Sequence, residues 1–495
     1  MNLHDLLQAI KYDNDMNIEN LDISGISYHS QKVEPGHLFV CVRGFKTDGH
    51  QYLQDAANRG AIAAVVEDIQ QHVNIPQIVV TNSRKALAQL GAHFYGYPSK
   101  KLKIIGITAT NGKTSTSYMT NAILENGGYR TGLIGTVKIK NGDQSIPASL
   151  TTPESLDLQK YLKEMVDNLV SHVTMEVSSA ALELHRVESV DYDIVTLNNM
   201  SREHMEMHGT FENYFKVKSS LIRNASEKSF AILNLDDPYS ASLVDKTKAQ
   251  VITFGIENNN GHIHCKALDL STGRGKFTVE IRKPFTVDSI DYQPMEFDVE
   301  LSVPGLHSVY NAMVAIIIGL LNGVSIEIIQ ETLKNFKGVE RRFEFIYEGP
   351  FKIVDDHFAN PGNINVTLQT IDFMDYNDLH LVYAIRGQRG ATVNRENAEV
   401  VVKWAKDLGI KEVIATKSVS NVTWKDEVTE EEVEAFLHVM KEAGIKVQLY
   451  DELSDAICKS LSIAKENDLV LLAGCQGMDD GAKIALDKLK EVEVK

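Results

Sequence analysis

The chain has 495 residues and a formal net charge of -17, which excludes a general nucleic-acid or anionic-membrane surface but leaves room for a locally basic pocket. Its composition is that of an ordinary globular protein, and the length predicts about three domains. Cys41, Cys265, Cys458 and Cys475 lie far apart with no metal-ligand spacing and read as reduced, mostly buried thiols of a cytoplasmic protein.

Residues 1–98 read as a small α/β domain that starts without an apolar stretch resembling a signal peptide. A strand over 37–42, a turn over 44–49, a helix near 51–59 and strands over 61–66 and 77–80 precede the boundary signal GYPS. Residues 99–338 open on strand-like 102–107. Further apolar runs at 173–177, 193–197 and 230–233 predict buried parallel strands covered on both faces. The alternating stretch 266–303 predicts an antiparallel insertion, and 309–321 a buried helix, since its apolar run is far short of the ~20 residues a membrane span needs. Residues 339–495 alternate strands (351–354, 379–384, 412–416, 446–449, 469–473) with helices (396–408, 430–443, 452–466), the pattern of a Rossmann-like domain. The fold class is therefore α/β throughout.

The segment 104–116, IIGITATNGKTST, carries the strongest chemical signal. A strand, a small-residue loop and a helix start aim backbone N–H groups at a phosphate. Thr110, Asn111, Gly112, Lys113, Thr114 and Ser115 form the nucleotide loop, with Lys113 on the β/γ-phosphates and the Thr114 hydroxyl on Mg²⁺. Gly106 and Gly112 stand one residue further apart than in the usual phosphate loop.

Glu176 closes the run VTMEV, where a Mg²⁺ ligand belongs beside a phosphate loop. Arg202, Glu203, His204 and His208 cluster after the strand at 193–197, as ligands or as structural residues. Lys218, taken alone, reads as a solvated surface lysine. Asp236 and Asp237 read as turn residues. Arg341, Arg342, Arg386 and Arg389 suit bidentate binding of carboxylate or phosphate, or are solvated surface arginines.

In this order the motifs resemble the Mur ligases, the ATP-dependent enzymes that build the peptidoglycan stem peptide. TATNGKT resembles the family's phosphate loop. TTPE at 151–154, EVSS at 176–179, REHMEMHGTFENYFKVK at 202–218 and the stretch 28–52 resemble the branch that adds the third stem residue (MurE). The resemblance implies a three-domain architecture: a UDP-substrate domain (1–98), a central ATP-binding domain (99–338) and a C-terminal domain for the amine and closure (339–495). It implies ATP and Mg²⁺ as cofactors, with Thr114, Glu176, His204 and a carbamylated Lys218 around the metal. Ser30, Thr151, Thr152, Ser178 and Arg186 would hold the acid substrate; Asn311, Arg342 and Asp356 would meet the nucleotide. Arg386 and Arg389 remain candidates for substrate contact. The implied reaction phosphorylates a carboxylate, and an amine then attacks the acyl phosphate to form an amide. The implied partners are a UDP-sugar peptide or another carboxylate, and an amino acid or amine. Neither nucleic acid nor membrane is expected, and a cytoplasmic monomer is.

The sequence departs from the family mainly in its last third. TKSVSNVTWKD stands where the branch carries its amino-acid recognition motif, Ala359 where it has His, RGQRG at 386–390 and GCQGMDD at 474–480. Ala180, Leu150 and Ser308 also depart. A ligase acting on a UDP-muramoyl peptide is the first reading. A Mur-type ligase joining another carboxylate to an amine outside cell-wall synthesis is the second, and a binding protein that kept the fold is the third.

Overall fold

Strand Lys103–Thr108 takes the middle of a parallel sheet because its residues from Ile104 to Thr108 are all buried, as the centre of a sheet packed on both faces requires. In the computed structural model, which describes residues 1–13, 21–44, 47–201, 208–339 and 341–493, this strand belongs to the first of two compact units, Met1–His262 with Val314–Val324. Its neighbours are Ile194–Leu197 and His172–Glu176. Phe230–Asn234 and Gln250–Gly255 continue the parallel sheet on one side, and Thr131–Ile134 on the other. Lys138–Asn141 and Gln144–Pro147 then add an antiparallel hairpin that the sequence reading did not foresee.

Gly106 is not part of the phosphate loop. It lies mid-strand, where a Cβ would stand 2.6 Å from Cε1 of Tyr192. The missing side chain makes room for that ring, which explains the odd spacing to Gly112.

The same unit begins with a four-stranded parallel sheet: Gly25–Ser27, His37–Val40, Ala61–Val66 and Gln77–Val79. Helix Ser83–Phe94 starts at Asn82, whose side chain accepts from Lys85 N–H at 2.9 Å. Helix Ser155–Asp167 packs on it at Gly91, where a Cβ would lie 3.2 Å from Leu156 Cδ1. Leu156 thereby joins the apolar cluster of Leu3, Leu6, Leu38, Val65 and Leu90.

The second unit is Ile263–Met313 with Ser325–Lys495. The predicted antiparallel insertion is present as Ile263–Asp269, Arg274–Ile281 and Met295–Pro304, with a ribbon of Phe285–Val287 and Ile290–Tyr292. A six-stranded sheet follows in the order Glu344–Glu348, Lys352–Asp356, Leu469–Ala473, Leu379–Ala384, Glu412–Thr416, Lys446–Tyr450. Its first pair is antiparallel and the rest parallel. The strands expected at 61–66, 379–384, 412–416 and 469–473 are found with those bounds. The helix expected over 396–408 instead runs Ala391–Ala405, started by Gly390 at φ 85°. Helix Leu306–Leu321 buries the apolar run as expected. No helix of the described residues is long and apolar enough to cross a membrane.

Candidate active site

Gly112 caps helix Lys113–Asn126 at φ 86°, a left-handed conformation that glycine adopts without strain. Its carbonyl accepts from both Thr116 N–H and Thr116 Oγ1, each at 2.9 Å. The loop before it is pinned from the neighbouring strand end: Asn111 N–H donates to Asn199 Oδ1 at 3.0 Å, and Asn199 Nδ2 donates to Asn111 O at 2.9 Å. Thr110 Oγ1 accepts from Ser201 N–H at 3.0 Å. Lys113 folds back, its Nζ donating to the carbonyls of Ala109 and Thr110, both at 2.9 Å. Ser115 is half-buried on the first helical turn. These positions leave a helix N-terminus, a lysine and a hydroxyl together, a donor set that fits a magnesium-bound polyphosphate.

Glu176 ends strand His172–Glu176 and is wholly buried. A buried carboxylate must be satisfied, and three donors do so: Thr114 Oγ1 at 3.0 Å, Thr136 N–H at 2.9 Å and Thr136 Oγ1 at 3.0 Å. A Cβ at Gly135 would collide with this carboxylate. The Glu176 carbonyl accepts from Thr152 Oγ1 at 2.8 Å. Thr151 Oγ1 lies 3.1 Å from Thr136 Oγ1, and Ser178 caps the helix Ser179–Glu183 while accepting from Thr152 Oγ1 at 3.3 Å. Glu176 thus joins the phosphate loop to the 151–152 turn.

Lys218 corrects its sequence reading. It is 1% exposed, not solvated. Helix Phe211–Arg223 turns it inward, and Nζ donates to Ala109 O at 2.6 Å and Thr108 Oγ1 at 3.2 Å, with the Tyr214 ring 5.3 Å away. His204, with Arg202 and Glu203, lies outside the described residues. His208 is buried beside Tyr214, ring centroids 5.2 Å apart.

Arg186 reaches Glu154 at 2.7 Å and donates to Thr152 O at 3.1 Å. Arg84 approaches the same Glu154 at 3.5 Å. Tyr28 OH donates to Asp157 Oδ2 at 2.5 Å; burial and that carboxylate push the phenol's pKa up. Ser30 is buried and hydrogen-bonds Asp55. Asp236 and Asp237 are turn residues as read: Asp237 caps Pro238–Ala241, and Asp236 accepts from Asn258 N–H at 2.6 Å.

In the second unit, Asp356 is buried and accepts from Thr367 Oγ1 and Phe343 N–H, each at 2.8 Å. Burial raises the pKa of both Asp355 and Asp356, and Arg341 pulls each partly back. Arg342 donates to Arg341 O at 3.3 Å. Asn311 is buried on helix Leu306–Leu321, where Ser308 Oγ donates to Pro304 O at 2.6 Å. Arg386 is half-buried, whereas Arg389 is exposed and pairs with Asp426 at 3.2 Å.

Three sequence models match in chain order: "Mur ligase family, catalytic domain" over residues 22–95, "Mur ligase middle domain" over 107–319 and "Mur ligase, glutamate ligase domain" over 341–476. A relative from Caldanaerobacter subterraneus subsp. tengcongensis, named UDP-N-acetylmuramoyl-L-alanyl-D-glutamate--2,6-diaminopimelate ligase, is 35% identical over 96% of this chain and 94% of its own.

The chain belongs to the Mur ligase family.

Two solved Mur ligase structures share its fold. One, titled with the same ligase name, superposes with a TM-score of 0.69 at 22% identity over 99% of this chain and 100% of its own. MurF ligase from Thermotoga maritima, in complex with ADP, superposes at 0.63 and 19% identity over 96% and 99%. The fold is the three-domain Mur ligase architecture, with parallel α/β sheets. As a Mur ligase the protein is an ATP- and Mg²⁺-dependent enzyme that forms a C–N bond in peptidoglycan synthesis.

Sequence reasoning missed the partners that set this geometry. Thr136 and Asn199 contact site residues from 40 and 88 positions away in the chain, and no local pattern announces such pairs. Glu154 lay within the TTPE motif, and its position next to TTP was the available signal.

Proposed function

We propose that this chain phosphorylates the D-glutamyl carboxylate of UDP-N-acetylmuramoyl-L-alanyl-D-glutamate and joins it to the amine of an amino acid, as a cytoplasmic monomer organised as domains 1–98, 99–338 and 339–495. The observation that carries this reading is Glu176, which accepts from Thr114 through its side chain and from Thr152 through its carbonyl. Nucleotide and acid would then be registered against one buried residue.

Lys113, released from the Ala109 and Thr110 carbonyls, would bind the transferring phosphoryl group, with Thr110, Asn111, Gly112 and Ser115 supplying the loop around it. Thr114, Glu176, His204 and a carbamylated Lys218 would hold Mg²⁺. When bound, the metal neutralises charge on the phosphoryl oxygens. Ser30 would meet the uridine diphosphate, and Thr151, Thr152, Ser178 and Arg186 the sugar peptide. Asn311, Arg342 and Asp356 would contact the nucleotide. The diaminopimelate named for the relatives is the first amine to test.

Phosphate release from ATP and Mg²⁺ is measured with this acid and a panel of amino acids. Release that requires both partners, with an amide of matching mass, is expected, and Lys113→Ala should abolish it. Release without any acid, or unchanged turnover in Lys113→Ala, would overturn the reading.

A further inference from the structure

Arg341 stands in the left-handed region at φ 56°, and Phe343 does the same two residues later at φ 53°. Residues with a Cβ rarely adopt that backbone, and they keep it only where the surroundings fix it from several sides. Arg342, between them, is therefore carried on a segment that would not hold this shape alone.

Hydrogen bonds of the main chain fix one side of the segment. Arg341 N–H donates to Glu344 Oε2 at 3.0 Å. The Arg341 carbonyl accepts from His357 N–H at 3.1 Å, and Phe343 N–H donates to Asp356 Oδ2 at 2.8 Å. Residues 341–343 are thus laid against the carboxyl end of strand Lys352–Asp356. Strand Leu469–Ala473 runs parallel to it with Ala473 opposite Asp356, and Gly474 N–H donates to Asp356 O at 3.2 Å.

The Arg341 side chain fixes the other side. It is buried, and all three of its nitrogens are engaged. Nε lies 3.5 Å from Asp355 Oδ1, and Nη1 donates to Asp479 Oδ1. Nη2 donates to the carbonyls of Gly474 and Cys475, the latter at 3.1 Å. Asp355 is wholly buried, so its charge needs that partner. A planar guanidinium spreads over four such acceptors, and an ammonium, a single point charge, does not. Arg341 is spent inside the fold rather than left for a ligand.

Arg342 differs. It is half-buried, its Nη1 donates to the Arg341 carbonyl at 3.3 Å, and among the described residues no carboxylate pairs with it.

We propose that Arg341 is a positioning residue for nucleotide binding: by tying segment 341–343 to residues 474–479, its guanidinium holds Arg342 in the direction in which it meets the nucleotide. The inference rests on the nucleotide contact given to Arg342 above. With the tie cut, the left-handed pair loses a support, Arg342 samples other directions, and binding must then order it.

Binding of the non-hydrolysable ATP analogue AMP-PNP with Mg²⁺ is measured by calorimetry, so that no turnover is required. Arg342→Ala should weaken it by roughly 10–100-fold, the range for losing a hydrogen bond to a charged group. Arg341→Gly accepts the left-handed backbone and removes only the tie. It should weaken binding roughly 10-fold, as when the competent direction is populated about a tenth of the time. In an Arg342→Ala background the same glycine should cost less than about twofold, because its effect passes through Arg342. Arg341→Lys keeps the charge without the fork; it should fall between wild type and glycine, and it decides the matter if the glycine variant does not fold. Affinity for UDP-N-acetylmuramoyl-L-alanyl-D-glutamate should stay within about twofold throughout, whereas a generally loosened fold would weaken both ligands. Native AMP-PNP affinity in both Arg341 variants, losses that add in the double variant, or equal weakening of the two ligands overturns the proposal. Failure of the nucleotide role looks different: Arg342→Ala itself then binds AMP-PNP as tightly as wild type, and the proposal falls with it.

Discussion

Lys113 and Lys218 share one acceptor: both ammonium groups donate to the carbonyl oxygen of Ala109, at 2.9 and 2.6 Å. Two cations on one neutral oxygen repel each other, and solvent screens Lys218 little because it is 1% exposed. The arrangement is relieved when Lys113 moves to a phosphate or when Lys218 loses its positive charge. Carbamylation does the latter and turns the lysine into an anionic oxygen ligand.

Activity should therefore depend on dissolved carbon dioxide. After exhaustive degassing, turnover should fall, and bicarbonate should restore it. Lys218→Ala should lower kcat by roughly 10²–10⁴-fold, and Lys218→Arg should not rescue it, because a guanidinium forms no stable carbamate. Bicarbonate-independent turnover in the wild type would count against the modification.

Glu176→Gln keeps the shape of the side chain and removes its charge. The Mg²⁺ concentration for half-maximal rate should rise roughly 10–100-fold, the scale of losses when a metal's supporting shell is altered. Magnesium titration of the two proteins at saturating ATP checks this. An unchanged midpoint would remove Glu176 from the metal site.

His307 is half-buried beside Thr370, Nδ1 to Oγ1 3.4 Å, and desolvation lowers its pKa from 6.5 to about 4. A histidine depressed in the fold contributes stability that is full above the unfolded pKa and is lost as pH falls through the folded one. Between pH 6.5 and 4 the wild type should lose stability relative to His307→Gln, with a slope of up to about 1.4 kcal/mol per pH unit. Titrating groups common to both proteins cancel in that difference. Urea denaturation at a series of pH values measures it.

Gly106→Ala should destabilise the protein by about 1–3 kcal/mol, the cost of forcing a methyl group into a packed site. The loss should shrink in a Tyr192→Ala background, because the ring it strikes is gone. Additive losses in denaturant titrations would show that the ring is not the obstacle.

The phosphate loop and the parallel strands were legible because each rests on adjacent residues: an apolar run such as 469–473, or Gly112 beside Lys113. Lys218 was not legible from its own helix, since what buries it is the 108–109 turn more than a hundred positions earlier. The hairpin at 138–147 was missed because its outer strand, Gln144–Pro147, is exposed along its whole length and carries no apolar alternation. Gly106 looked like chemistry and is packing. Glu432 carries no local mark of its contacts with the N–H groups of residues 388–390, because only the fold brings it to them.

The seating of Leu156 in the first sheet's apolar cluster bears on modularity. Cutting the chain at the GYPS turn would uncover Leu156 and strip its cluster of a member. It would also part Tyr28 from Asp157 and Arg84 from Glu154. The first hundred residues are thus ill suited to exchange with those of another ligase, and a chimaera joined there would inherit a dry, mismatched seam.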